Sequence, residues 1–369
     1  MTSKPIPLVD LKAQYHTIKA EIDSAVADVL DSCAFIGGRY VEQFEADFAL
    51  FTGARHVIGV GNGTDALLIA LRSLQLEPGF EALVPANTFI ATAEAVTHAG
   101  GRPRFCDVDA DSYLLDLDRA EQLVNDSTRV VIAVHLYGQM MDMPAVRRFA
   151  DRHQLLVVED AAQAHGAQRG GIRVGELSSI VTYSFYPAKN LGAYGDGGAV
   201  TTDDERLAGL IRKWHTHGGD QKYRHEFEGI NSRLDGLQAA VLSVKLRHLP
   251  QWTLRRREVA EIYHRLLEPL GLSLPRESDP GSHVYHLYVT RVDRRDRVLS
   301  VLQDKGVHAG VHYPIALPFL EAYERFGHKP EEFPVTYAQM DRLISLPLFP
   351  EITTGQIEQV AQALGEALR

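Results

Sequence analysis

One lysine in this chain stands where its amine could act as a nucleophile. Lys189 follows a hydrophobic, strand-like run over 180–186 and precedes a stretch carrying Gly192, Gly195, Gly197 and Gly198. A lysine amine is a poor nucleophile while protonated, but a desolvated site or a neighbouring cation lowers its pKa and lets it form a Schiff base with a carbonyl compound. As one of 38 basic residues on a turn, Lys189 carries no chemistry alone, and its surroundings decide.

The segment Gly59-Val60-Gly61-Asn62-Gly63-Thr64-Asp65 joins a short apolar strand over 56–60 to a strongly helix-forming run over 66–74. Free backbone N–H groups and the positive end of a helix dipole receive an anion there, typically phosphate, and Thr64 adds a hydroxyl donor. The third glycine of a dinucleotide fingerprint would fall on Thr64, so that motif is excluded. A plain turn capped by Thr64 or Asp65 fits the same residues equally well. Asp160 ends an apolar strand, and Phe89 follows another. A carbonyl-binding lysine, an anion turn over Gly63 to Asp65, an acid and a stacking aromatic suit pyridoxal phosphate, whose ring accepts electrons only while a carboxylate such as Asp160 keeps its nitrogen protonated.

The elements that must position these groups follow from periodicity. Helices are predicted over 22–30 and 40–51, strands over 56–60, 82–85, 104–108, 130–137, 155–159 and 180–186, and intervening helices over 66–74, 88–99 and 144–153. Apolar strands separated by helices indicate a mainly parallel sheet covered on both faces, with ligands beyond the carboxyl ends of its strands. A helix is predicted over 205–216, and helical periodicity resumes over 234–270 with a break or kink at Pro250. Beyond it lie strands over 284–292 and 310–313 and helices over 294–304 and 355–368. The division is therefore a large α/β domain over 1–250 and a small α+β domain over 251–369.

Composition closes other routes. With 48 acidic against 38 basic residues the net charge is −10, which disfavours nonspecific nucleic-acid binding. Without an apolar signal segment or an eighteen-residue apolar run, a cytoplasmic protein that makes no use of a membrane is expected. Cys33 and Cys106 form no ligand or disulfide pattern and are expected to be small buried hydrophobes. Asp107, Asp109 and Asp111 begin like a calcium loop, but Ser112 and Asp118 occupy the positions that need glycine and glutamate. His308 and His312 flank Gly310 in a strand-like run, which argues against a helical metal pair. No metal is expected.

Five ordered motifs, NGTDAL, PANTFIATAEAV, VEDAAQAHGA, SFYPAKNLGAYGDGGAV and GINSRLDGLQAAVL, resemble those of the DegT/DnrJ/EryC1/StrS family of sugar aminotransferases, with a likeness running from Ile6 to the C-terminus. The resemblance implies a type I, aspartate aminotransferase-like α/β fold with a seven-stranded sheet. It implies a pyridoxal 5'-phosphate cofactor bound to Lys189, which also moves protons, with Asp160 on the ring nitrogen and Gln163 on the phenolic oxygen. Phe89 would stack on the ring, and Gly63, Thr64, Asp65 and Ser184 would hold the phosphate. Asn231 would reach the neighbour's phosphate across a homodimer with shared active sites. Arg233, His312, Tyr313 and Tyr194 would meet substrate, although Tyr194 could equally face a subunit contact. L-glutamate would donate the amino group to a nucleotide-linked keto-sugar. Members that aminate C4 often carry SFH and EGG; SFYPAKN with GDGG resembles the branch acting on C3 of 3-keto-6-deoxyhexoses, commonly dTDP-linked. The alternatives are amination at C4 or of an inosose ring, and a non-catalytic, cofactor-binding regulatory protein.

Overall fold

The computed structural model describes residues 5–221, 223–277 and 279–369. Five strands, β1 (His56–Val60), β2 (Glu81–Pro85), β3 (Arg102–Cys106), β4 (Thr128–Val134) and β5 (Leu156–Asp160), precede a small hairpin of β6 (Gln168–Arg169) and β7 (Ile172–Arg173). After it come β8 (Ile180–Ser184) and β9 (Gly198–Thr202), and the central sheet has seven strands in the order β1-β9-β8-β5-β4-β2-β3. Neighbours from β8 through β5, β4 and β2 to β3 are parallel. The exception is β9, antiparallel to both β8 and β1.

The helices are α1 (Leu11–Thr17), α2 (Lys19–Ser32), α3 (Arg39–Thr52), α4 (Gly63–Ser73), α5 (Ala91–His98), α6 (Leu117–Glu121), α7 (Met143–His153), α8 (Glu205–Trp214) and the long α9 (Gly236–Leu267). Alternate residues of a strand face opposite sides, and the packing follows. Ile58, Ile180 and Val200 join Ile69 of α4 and Ile211 of α8 on one face. Val57, Val181 and Tyr183 join Phe44 and Phe48 of α3 and Leu242 of α9 on the other. The remaining elements are β10 (Tyr288–Arg291), α10 (Arg295–Asp304), α11 (Pro334–Gln339), β11 (Leu343–Leu346) and α12 (Thr354–Ala367), with β10 and β11 paired antiparallel.

The mainly parallel, seven-stranded α/β fold is as expected, with local corrections. The strand expected to reach residue 137 ends at Val134, because Leu136–Gly138 forms a 3-10 turn with Tyr137 at φ 60°. The strand expected to reach residue 186 ends at Ser184. In place of the strand over 310–313 there is one bridge, Gly310 to Ser345. Pro250 lies inside an unbroken α9. Leu242, Leu246 and Leu249 of that helix pack in the sheet's core, and Val259, Tyr263 and Leu267 pack in a second core with Val298, Ile344 and Leu364. Ile6 also enters this second core, through a parallel bridge to Val307. Cys106 is buried, whereas Cys33 is exposed at the left-handed C-terminus of α2. Among the described residues no helix is long and apolar enough to cross a membrane.

Candidate active site

A cavity of about 530 Å³ opens beyond the carboxyl ends of β4, β5 and β8, against the N-terminus of α4. Its wall is built from Gly63, Thr64, Phe89, Asp160, Gln163, Ser184, Lys189, His312 and Tyr313. Nearly 250 residues of sequence separate the first of these from the last, and the sheet edge brings them to one place.

The anion end is set by Asn62. Its side chain caps α4, accepting from the Asp65 N–H at 2.8 Å and donating to the Asp65 carboxylate at 3.0 Å. The cap is therefore Asn62, and neither Thr64 nor Asp65 serves as one. With the Asp65 amide engaged, the amides of Gly63 and Thr64 in the first turn are left to receive an anion. Ser184 faces them from the end of β8, and a Cβ built on Gly63 would stand 2.6 Å from the Ser184 Cβ. Only glycine lets the strand end close on the helix end.

The acid at the centre is Asp160, the last residue of β5. Its carboxylate accepts from the Thr92 hydroxyl at 2.9 Å and from the Ala162 N–H at 3.2 Å. Burial pushes its pKa above the usual carboxylate range despite these donors, so a cationic group placed opposite would be strongly welcomed. Lys189 stands on the turn after β8, its N–H donating to the Tyr186 carbonyl at 2.8 Å. Burial brings its amine down to about 8, against the opposing attraction of Asp160. Histidines near the lysine are kept neutral chiefly by burial, His312 down to about 4 and His165 to about 3.

The Gln163 side chain is aimed from both ends. Its Oε1 accepts from the Tyr137 N–H at 2.6 Å, which turns its Nε2 toward the Tyr313 hydroxyl, 3.2 Å away. Phe89 and Tyr313 set their ring centroids 5.8 Å apart at the mouth. This set fits pyridoxal phosphate: a first-turn anion cradle, a buried acid for a ring nitrogen, an amide donor and a low-pKa amine in one cavity.

The DegT/DnrJ/EryC1/StrS aminotransferase family matches residues 16–365. The chain belongs to this family. It is 43% identical over 367 residues to a pleiotropic regulatory protein of Geobacillus stearothermophilus, covering 99% of each chain. It is 43% identical over 364 residues to a dTDP-3-amino-3,4,6-trideoxy-alpha-D-glucose transaminase of Streptomyces venezuelae, covering 98% of this chain and 96% of that one. The X-ray structure of Streptomyces venezuelae DesV superposes with a TM-score of 0.96 at 42% identity over the whole of both chains.

Within this DegT/DnrJ/EryC1/StrS family member, several residues expected at the site lie outside the cavity. Asp65 is turned to Asn62. Asn231 and Arg233 are exposed on the segment before α9. Tyr194 packs edge-on to Tyr15 with centroids 6.2 Å apart, and Lys245 sits over its ring at 4.9 Å. Conversely, the motifs did not single out Thr92 or Tyr137. Thr92 lies one turn past Phe89 in PANTFIAT, and the sheet alone carries it to Asp160. Tyr137 donates to the His312 carbonyl and accepts from Asn87 at 3.2 Å, linking the sheet to the 310–314 segment. Tyr186 and Asp196 were legible in SFYPAKN and GDGG as pattern letters, and both line the cavity.

Proposed function

We propose that this aminotransferase moves an amino group from L-glutamate to C3 of a nucleotide-linked 3-keto-6-deoxyhexose, with dTDP as the nucleotide. The cofactor is pyridoxal 5'-phosphate. When bound, it would supply an aldehyde carbon that carries the amino group between donor and acceptor, and a protonated ring that draws off the electrons released. The protein's residues do the rest. The Gly63 and Thr64 amides and the Ser184 hydroxyl receive the phosphate. Asp160 would keep the ring nitrogen protonated, the Gln163 Nε2 would donate to the phenolic oxygen, and Phe89 would cover one ring face. The Lys189 amine, with a pKa of about 8, gives and takes a proton readily near neutrality, so one side chain serves as base in one half-reaction and acid in the other.

The observation that carries the C3 reading is that Tyr186 and Asp196, the residues that separate SFYPAKN and GDGG from SFH and EGG, stand on the same cavity wall as Lys189. The name of the Streptomyces venezuelae relative supports it. The name of the Geobacillus relative supports a regulatory protein instead; against that stands the assembly of Lys189, Asp160 and Gln163 in one cavity. We also propose a homodimer in which Asn231, exposed and outside its own cavity, reaches the partner's phosphate.

The test is to incubate purified protein with pyridoxal phosphate, glutamate and 3-keto or 4-keto dTDP-sugars in turn. The expected result is a 3-amino sugar by NMR and a change in the cofactor's absorbance with glutamate alone. A 4-amino product would replace C3 with C4, and an absorbance indifferent to glutamate would favour the regulatory reading. Lys189→Ala is expected to abolish turnover, a loss of at least about 1,000-fold.

A further inference from the structure

A second lysine, Lys245 of α9, is 1% exposed and has no place in the chemistry above. Its ammonium donates to the Gly192 carbonyl, three residues past Lys189, and lies 4.9 Å from the centroid of the Tyr194 ring. A buried ammonium is costly, and a methionine of similar length would fill the same space without that cost. The partner therefore matters more than the packing.

That partner is the base of the turn bearing Lys189. The turn starts from Phe185, whose carbonyl accepts from the Ala193 N–H at 2.7 Å, and the Lys189 N–H closes onto the Tyr186 carbonyl at 2.8 Å. A Cβ on Gly192 would stand 2.3 Å from the Pro187 carbonyl oxygen, so the two limbs touch. Neighbouring contacts from α9 act in the same way, because Gln238 accepts from the Tyr194 N–H at 2.8 Å. On the far side, the Asn190 side chain donates to the Val284 carbonyl at 3.1 Å.

We propose that Lys245 is a positioning residue for Lys189: by holding the Gly192 carbonyl under the cover of Tyr194, it sets where the tip of the turn presents the reactive amine. Tyr194, outside the cavity, thereby acts on the site through Lys245 and not through the sugar. The burial that lowers the Lys245 amine to about 7, against the attraction of Glu351, is the cost that this arrangement carries.

The proposal rests on Lys189 being the cofactor lysine, and the test keeps the two ideas apart. Wild type, Lys189→Ala, Lys245→Met and Tyr194→Leu are each saturated with pyridoxal phosphate. The pH midpoint of the visible band that depends on Lys189 is recorded, with the glutamate half-reaction rate and its KM. Lys245→Met is expected to move the midpoint by at least about half a pH unit and to slow the half-reaction about tenfold, with KM within about threefold, because a misplaced amine affects the step and not donor binding. Wild-type midpoint and rate in Lys245→Met would overturn the proposal. Should Lys245→Met not fold, Tyr194→Leu decides: it keeps the lysine but strips the ring from over it, and a smaller shift in the same direction, about two- to fivefold in rate, is expected. Wild-type values for Tyr194→Leu would then overturn it. A wild type without any band that Lys189→Ala removes would overturn the cofactor reading itself.

Discussion

At the scale of single residues, Lys189 trades stability for reactivity. Its folded pKa of about 8 lies below the ordinary 10.5, so between those values the unfolded chain binds a proton that the folded one does not, and stability rises with pH there. Below pH 8 both states are protonated and the burial penalty stands in full. The groups around it offset this only in part: Asp160 draws the pKa upward, and His165, His286 and His312 are held neutral. Cofactor-free Lys189→Met should therefore melt higher than wild type at pH 7, by about 1–3 °C, with the gain shrinking as pH rises from 8 toward 10.5. Equal melting curves at pH 7 would contradict the burial. Asp160 poses the opposite case, a carboxylate whose charge is worth keeping only opposite a cation. Asp160→Asn should lower the glutamate half-reaction about 100-fold or more, read by stopped-flow absorbance, while the fold persists because the Thr92 hydroxyl can still donate to the amide oxygen. The lysine and the acid were legible as motif letters. Thr92, which meets Asp160 across 68 positions of sequence, had no local signal, since a threonine inside a helix is more often a plain helix residue.

At the scale of elements, the cavity is made by strand ends and tight turns. Strands β1 and β5 could be read almost to the residue, because each is a short apolar run stopped by glycine or acid. Strand β9 was hidden in a glycine-rich stretch, yet Gly198 is part of its design: a Cβ there would stand 2.5 Å from the Asn62 carbonyl oxygen. Pro250 does not break its helix, for a related reason. Proline removes one helical hydrogen bond, but α9 buries apolar side chains in both cores, on either side of residue 250, and that burial outweighs a local loss of about 3 kcal/mol. The strand-like alternation near residue 312 fails because the 310–314 segment is held by side chains: His312 pairs with Ser345 at 2.8 Å, and its carbonyl takes the Tyr137 hydroxyl. Two substitutions test these devices. Gly63→Ala should weaken cofactor binding about tenfold or more by wedging Ser184 away, measured by titrating the cofactor's absorbance. Tyr137→Phe removes one buried donor, worth about 1 kcal/mol, and should raise KM for the keto-sugar about fivefold with a smaller change in kcat, since the segment it releases carries His312 and Tyr313, which line the cavity and meet the sugar under the proposed function.

At the scale of the whole molecule, two large apolar side chains stand exposed beside the 231–235 segment. Phe35 and Ile36 are 41% and 56% exposed, and they are joined to that segment by the bridge of Ile36 to Asp235 and by the Gly236 N–H donating to the Phe35 carbonyl. Exposed apolar residues next to a polar group that misses its own cavity fit a closed, two-fold contact in which each copy completes the other's site. This reading makes a prediction that a monomer's chemistry cannot imitate. Lys189→Ala and Asn231→Ala each break every site when present alone. In a dimer containing one of each, the Lys189 of the Asn231→Ala copy faces the Asn231 of the Lys189→Ala copy, and that one site is whole. An equal mixture, unfolded and refolded together so that half of the dimers are mixed, should regain about one quarter of wild-type activity. If Asn231 served its own subunit, every site in the mixed dimer would keep one defect and mixing would restore nothing, so steady-state rates before and after mixing separate the two arrangements.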